Sequence, residues 1–355
     1  MNRCDYAASF FMIIGSSLLD RAFGEFAMLR LDEKLARIRS GAYKRTDFII
    51  ADAKDPDMGP GLYSHGPIRL NDGSMPRLRN RAEFLDTIRE VINQDIVDIM
   101  LTSASNLEQL VKTGAYKNSK IKPVIRANDT TDIWRHRGAT HHHKPSRPYR
   151  TANLKRVKES LTDLGLYSIT FTNDLDADLE AMHAFAEFRE DALTNGFTYF
   201  LEVFNPNIGG PSPEEMPHFV NDAIIRCLAG LTEIERPRFL KIAYNGPRAL
   251  DELASFDPSL VVGVLGGGAG TTRDCFELIF QAEKYGARVA LFGRKINLAE
   301  APLEMIRHMR AVADGTLAPL DAVKSYHDAL ARLKIVSARS LADDSQITEA
   351  PLKAG

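Results

Sequence analysis

The chain has 355 residues, 44% of them hydrophobic and 26% charged, with a net charge of −2. That is apolar material for a large core, and the charge balance offers no basic excess for nucleic acid or an anionic membrane surface. The three cysteines, Cys4, Cys227 and Cys275, are far apart; they give neither a disulfide framework nor a zinc knuckle, and a reducing cytoplasm is the expected location.

Near the N-terminus, Ala7–Leu19 (AASFFMIIGSSLL) is apolar. It is too short to span a bilayer, and Asp5 with no A-x-A site argues against a signal peptide. The expectation is a helix packed on the main domain or on a partner subunit. Met28 is an alternative natural start, because MLRLDEKLARIRSG opens an amphipathic helix.

From there hydrophobic runs alternate with helical patterns. The first strand reads DFIIAD (Asp47–Asp52), with a helix over Asn80–Gln94. The second is DIVDIMLT (Asp95–Thr102), with a helix from Asn106. The third is KPVIRAN (Lys122–Asn128), and its helix comes late, near Asn153–Leu164. The fourth, LYSITFT (Leu166–Thr172), precedes a helix from Asp176 to Thr194. The fifth, FTYFLEVF (Phe197–Phe204), precedes a helix over Ser212–Leu228. The sixth is RFLKIAY (Arg238–Tyr244), then a helix over Pro247–Phe256. The seventh is LVVGVLG (Leu260–Gly266), then Thr271–Tyr285; the eighth is ARVALFG (Ala287–Gly293), then Ala301–Ala313. A helix at Leu320–Leu333 and a polar tail from Ser337, expected to be mobile, complete the chain.

These strands are short, β-branched and apolar on both faces, as buried parallel strands are. Eight strand–helix units with no second composition regime specify an α/β fold, a (β/α)₈ TIM barrel. The expected organisation is an N-terminal helical extension over 1–46, the barrel over 47–315, and a C-terminal helix with its tail over 316–355. Such barrels place chemistry at the C-terminal ends of their strands.

Lys241 lies in the sixth strand among Leu240, Ile242 and Ala243. Burying an ammonium there is costly, and desolvation frees an amine as a nucleophile toward carbonyls. A lysine paired with a carboxylate inside the barrel fits the same placement. The run GVLGGGAGTT (Gly263–Thr272) closes the seventh strand and opens a helix, and the eighth strand ends in FGRK. Backbone amides of Gly266, Gly267 and Gly268, a helix N-terminus, and Gly293 with Arg294 make an anion site of the kind found after strands seven and eight.

The first strand ends in ADAKDPDMGPG. Asp52 and Lys54 fall on one face of an extended chain, so one of them can point into the mouth, whereas Asp55 and Asp57 read as a solvated loop with helix caps. Other strand ends carry Arg126, Asn128, Thr172, Asn173, Glu202 and Asn205. Glu202 is the most unusual, being an acid in an apolar strand; it can pair with Lys241 or act as an acid/base. The insert Thr130–Arg150 holds the only tryptophan and four of the nine histidines. It reads as a lid on an anionic substrate or as a subunit contact. Metal is not expected, since adjacent His141, His142 and His143 converge poorly on one ion.

Taken together, these features resemble the archaeal-type class I fructose-bisphosphate aldolases and their deoxyribose-phosphate and tagatose-bisphosphate aldolase relatives, over roughly Asp47 to Arg310. The matching pieces are IIADAKDPDMGPG, RFLKIAYNG with Lys241, LGGGAGTTRD and Phe292-Gly293-Arg294-Lys295-Ile296. There are departures. The family's histidine and glycine after the first-strand aspartate are replaced by Ala53-Lys54-Asp55. Asn205 precedes Pro206 where the family has a proton-transfer tyrosine, leaving Glu202, Tyr199 and Tyr244 as substitutes.

The resemblance implies a lyase of carbohydrate metabolism, a class I aldolase that needs no metal or cofactor. Lys241 would form a Schiff base with a phosphorylated keto sugar or related hydroxy-ketone, and Asp52 or Glu202 would move the proton. Lys54, Arg126, Asn205, Gly266, Gly267, Gly268, Gly293 and Arg294 would bind substrate or phosphate. It also implies a homo-oligomer whose partner is a small phosphorylated molecule, with no nucleic acid and no membrane. A Schiff-base transferase and a non-catalytic barrel that binds a phosphorylated metabolite are the alternatives.

Overall fold

The computed structural model describes residues 29–268 and 270–355. The helix expected at Ala7–Leu19 and the alternative start at Met28 lie outside these residues. The described chain opens with α1 (Arg30–Arg39), β1 (Ile49–Lys54), α2 (Arg81–Gln94), β2 (Ile99–Thr102), α3 (Ala104–Lys112) and β3 (Lys122–Arg126). A hairpin follows, β4 (Asn128–Thr130) and β5 (Pro148–Arg150). Next come α4 (Leu154–Ser160), β6 (Leu164–Thr170), α5 (Leu175–Thr194), β7 (Thr198–Phe204), α6 (Met216–Leu228), β8 (Leu240–Ile242) and α7 (Pro247–Phe256). The last units are β9 (Gly263–Leu265), α8 (Thr272–Lys284), β10 (Val289–Phe292), α9 (Arg294–Asn297), α10 (Pro302–Ala313), α11 (Pro319–Arg332) and α12 (Leu341–Asp344).

Eight strands close a parallel barrel in the order β1-β10-β9-β8-β7-β6-β3-β2, the architecture that the strand pattern predicts. Two apolar layers hold it. Phe48, Ile50, Leu201, Leu240 and Val264 face the helices, whereas Ile49, Ala51, Val124, Leu166, Phe200 and Phe239 fill the interior. The strand period of two assigns these faces. Gly263 lets neighbouring strands approach: a Cβ there would sit 2.6 Å from the Leu240 carbonyl and 2.8 Å from Val289 Cβ.

The lower end of the barrel is plugged by α1. Leu31 and Leu35 join the interior cluster, each burial worth about 1.5–3 kcal/mol. Lys34 Nζ binds Asp98 at 2.8 Å and the Phe48 carbonyl at 3.1 Å. Burial pushes the Lys34 amine down, and Asp98 opposes that.

Two segments differ from the sequence reading. The Thr130–Arg150 insert is not a plain loop: its ends pair as β4 and β5, with Asp129 opposite Tyr149. The segment expected to be a mobile tail lies against α8. Thr271 Oγ1 donates to the Gln346 carbonyl at 2.6 Å, and Thr348 N donates to Asp274 at 2.7 Å.

Candidate active site

The interior parity of each strand selects which polar residues reach the mouth. Phe239, just before β8, is interior, so Lys241 is too. By the same count Phe200 brings Glu202, Leu166 brings Ser168, and Val124 brings Arg126. Beyond β1, Asp55 keeps the interior parity of Ile49 and Ala51.

These residues form one network. Glu202 and Lys241 are register partners on β7 and β8, and Glu202 Oε1 makes an ion pair with Lys241 Nζ. Glu202 Oε2 accepts from Ser168 Oγ at 2.6 Å and from Arg126 Nη2 at 3.3 Å. Arg126 Nε donates to Asp55 at 2.5 Å, and Arg126 Nη1 donates to Ser168 Oγ at 2.8 Å and lies 3.7 Å from Asp129. All six side chains are buried.

Burial works against the Arg126 charge, yet Asp55, Glu202 and Asp129 outweigh it and raise its pKa. Burial alone would push the Asp55 carboxyl up; Arg126 and then Lys241 hold it below its usual value. Asp129 goes the other way: burial pushes it up to about 7 against the pull of Arg126.

Asp52 and Lys54 do not reach this network. They share the outward parity of Ile50, because the apolar Ile49 and Ala51 take the interior. Asp52 is fully buried with Lys54 Nζ at 3.6 Å, and Lys54 reaches Asn297 at 3.5 Å. Burial lifts Asp52 to about 6, opposed by Lys54, and lowers Lys54, opposed by Asp52. The acid that β1 sends to the mouth is therefore Asp55, which is buried against Arg126 rather than lying in a solvated loop. Asp57 does act locally, accepting from Ser103 at 2.6 Å.

Tyr199 and Tyr244 also face outward. Tyr199 donates to the Glu235 carbonyl and Tyr244 to Gln281, each at 2.6 Å. Arg126 is engaged with carboxylates rather than open to an anion. Asn205 exchanges amide hydrogen bonds with Asn245 at 2.8 and 3.0 Å.

The glycine loop after β9 borders a cavity of about 200 Å³ lined by Gly266, Gly267, Gly268, Asn245, Lys295 and Glu349 among others. Gly267 holds φ +62°, with open space where a Cβ would stand. Gly266 N donates to the Leu291 carbonyl at 2.6 Å. The amides opening α8 are taken by the chain's own carboxylates: Thr271 N donates to Asp274 at 2.9 Å and Thr272 N to Asp344 at 2.7 Å. Gly293 approaches β1, where a Cβ would meet the Ala53 carbonyl at 2.9 Å. Arg294 is exposed and donates to the Gly267 carbonyl at 2.8 Å. The basic group facing the cavity is Lys295, which donates to the Gly270 carbonyl at 3.1 Å. Burial lowers its pKa.

The inserted hairpin covers the β3–β6 side of the mouth. Trp134 packs edge-on against Tyr149 and donates its indole N–H to the Tyr149 oxygen. Tyr149 in turn reaches Asp129 at 3.4 Å. His136 and His141 gather around Trp134, but among the described residues no group of three or more His, Cys, Asp or Glu is placed to hold a metal ion. Among the same residues no helix is long and apolar enough to cross a membrane.

No protein-family model and no curated protein matches the chain. Solved structures do. An archaeal fructose 1,6-bisphosphate aldolase superposes with a TM-score of 0.58 at 15% identity, over 80% of this chain and 99% of its own. A Schiff base forming fructose-1,6-bisphosphate aldolase gives 0.60 at 16% identity, with the same coverage. The fructose-bisphosphate aldolase from Slackia heliotrinireducens gives 0.60 at 11%, over 84% of this chain and 90% of its own. The chain thus shares the barrel fold of Schiff-base aldolases.

Proposed function

We propose that the protein is a class I aldolase acting on a phosphorylated keto sugar or related hydroxy-ketone, with Lys241 as its Schiff-base residue. The observation that carries this reading is a lysine on the interior face of β8, in contact with a carboxylate that can take its proton. Glu202 removes a proton from the ammonium, and the free amine attacks the substrate carbonyl. Glu202 returns that proton as water leaves the carbinolamine. The hydroxyl on the β carbon then loses its proton to water, the bond between the α and β carbons breaks to release an aldehyde, and its electron pair passes into the enamine. Arg126 and Ser168 hold Glu202 in place. The loop of Gly267 and Gly268, with Lys295 beside it, is the place for the substrate phosphate.

Sodium borohydride reduction in the presence of dihydroxyacetone phosphate tests this. A stable mass adduct on Lys241 is expected, with none in Lys241→Ala. No adduct, or unchanged activity in Lys241→Ala, overturns the reading. The same ion pair favours a second reading, a non-catalytic barrel in which Glu202 simply neutralises a buried lysine; it predicts phosphate binding without any adduct.

A further inference from the structure

We propose that Tyr149, presented by the inserted hairpin, is the catalytic proton donor to the Lys241-bound enamine, and that Asp129 is the positioning residue that resupplies it. The proposal rests on the Schiff-base reading of Lys241 and adds a group outside the eight barrel strands.

The placement comes from register. Directly opposed residues of an antiparallel pair project to the same face, and Asp129 faces Tyr149 across β4 and β5. Asp129 is fully buried and 3.7 Å from the Arg126 guanidinium. That face therefore meets the network at Arg126, the residue that holds Glu202. The field of Arg126 also acts on the Tyr149 phenol.

Elimination leaves the Asp129–Tyr149 pair, of which Tyr149 is the nearer to the open side of the hairpin, being half-buried where Asp129 is fully buried. The enamine carbon needs an acid that carries a proton near neutral pH. Asp55 is held ionised by Arg126 against its burial. Glu202 is committed to Lys241 and Arg126. Tyr199 and Tyr244 bind partners outside the barrel. Tyr149 keeps its proton, its pKa pushed up to about 12 by burial, against the Trp134 contact and aided by Asp129.

The phenol oxygen is set up for the transfer. Trp134 donates one hydrogen bond to it. The Tyr149 O–H donates to ionised Asp129 at 3.4 Å; when Asp129 is protonated the direction reverses, Asp129 supplies a second donor, and the phenol O–H is released toward the mouth. Both donors stabilise the phenolate that follows. The electron pair left by the broken bond lies in the enamine. Its carbon takes the Tyr149 proton, the nitrogen becomes an iminium again, the phenolate takes the Asp129 proton, and water refills Asp129. The charges facing Asp129 are Arg126 on β3, Tyr149 on β5, Asp55 after β1 and Glu202 on β7, with the Thr130 N–H.

The test uses the full chain with dihydroxyacetone phosphate in deuterium oxide. NMR follows deuterium uptake at the carbon beside the carbonyl, and borohydride reduction reports the adduct on Lys241. Tyr149→Phe is expected to keep the adduct at the parent yield while exchange falls by about 100-fold or more. Asp129→Asn is expected to keep the adduct and remove a titration near neutral pH from the exchange profile. Exchange in Tyr149→Phe within about twofold of the parent overturns the proposal, and so does loss of its adduct, which would make Tyr149 a packing residue. No adduct in the unmodified protein overturns the Lys241 reading itself, and this proposal with it.

Discussion

The Arg126 guanidinium meets the Glu202 carboxylate at 3.3 Å inside the barrel mouth, while the other Glu202 oxygen is held by Lys241. One cation thus serves three buried acids, since Asp55 and Asp129 lie on the same guanidinium. Arg126→Met is expected to cost about 3–5 kcal/mol, because removing one partner strands buried charge. Urea unfolding at pH 7 measures it. Arg126→Lys restores little, since an ammonium lacks the fork that reaches Asp55, Ser168 and Glu202 together.

Glu202→Gln separates chemistry from support. The amide oxygen can still accept from Ser168, but it cannot take a proton from Lys241. The rate of borohydride-trapped adduct formation is expected to fall by about 100-fold or more, with a smaller loss of stability than Arg126→Met gives. Equal rates in parent and variant would remove Glu202 from the chemistry.

Asp129 gives a pH-dependent stability of defined sign. Its folded pKa is raised to about 7, above the value of about 3.9 in an unfolded chain. The folded state therefore binds the proton more tightly. That contribution is complete below pH 4 and is lost as pH rises through 7, at up to about 1.4 kcal/mol per pH unit. Relative to Asp129→Asn, the parent is expected to be more stable at pH 5 than at pH 8 in urea titrations at both values. A flat difference would show that Asp129 titrates as a free carboxyl.

Lys34→Met tests the opposite end. Asp98 is fully buried, and Lys34 is its nearest cation, with Arg310 at 3.7 Å. Losing Lys34 is expected to cost about 3–5 kcal/mol. The lower face of such barrels serves stability, so the yield of adduct on Lys241 in the folded fraction should not change.

The barrel was legible in the sequence because strands buried on both faces are apolar throughout, and LYSITFT or LVVGVLG can hardly be read otherwise. Lys241 and Glu202 were visible as charges inside such runs. Asp52 shows where that reading fails: it sits at the end of a strand, where the interior face is known only from which of Ile49 and Ile50 turns inward. Shifting that choice by one residue exchanges Asp52 for Asp55. Tyr149 and Asp129 were hidden for another reason. Three-residue strands in a polar insert leave no periodicity, and their pairing spans 20 positions. The contacts between Asp274 and the 344–349 segment, about 75 positions apart, were invisible on the same ground.

The plug formed by α1 has a consequence for traffic. With Leu31 and Leu35 seated in the lower end, the described residues leave the interior open at its upper mouth, between the Tyr149 hairpin and the glycine loop. Under the Schiff-base proposal, a compound bonded to Lys241 would sit behind whatever enters next. The first reactant in would then be the last product out, and the second would come and go over the hairpin while the first stays attached.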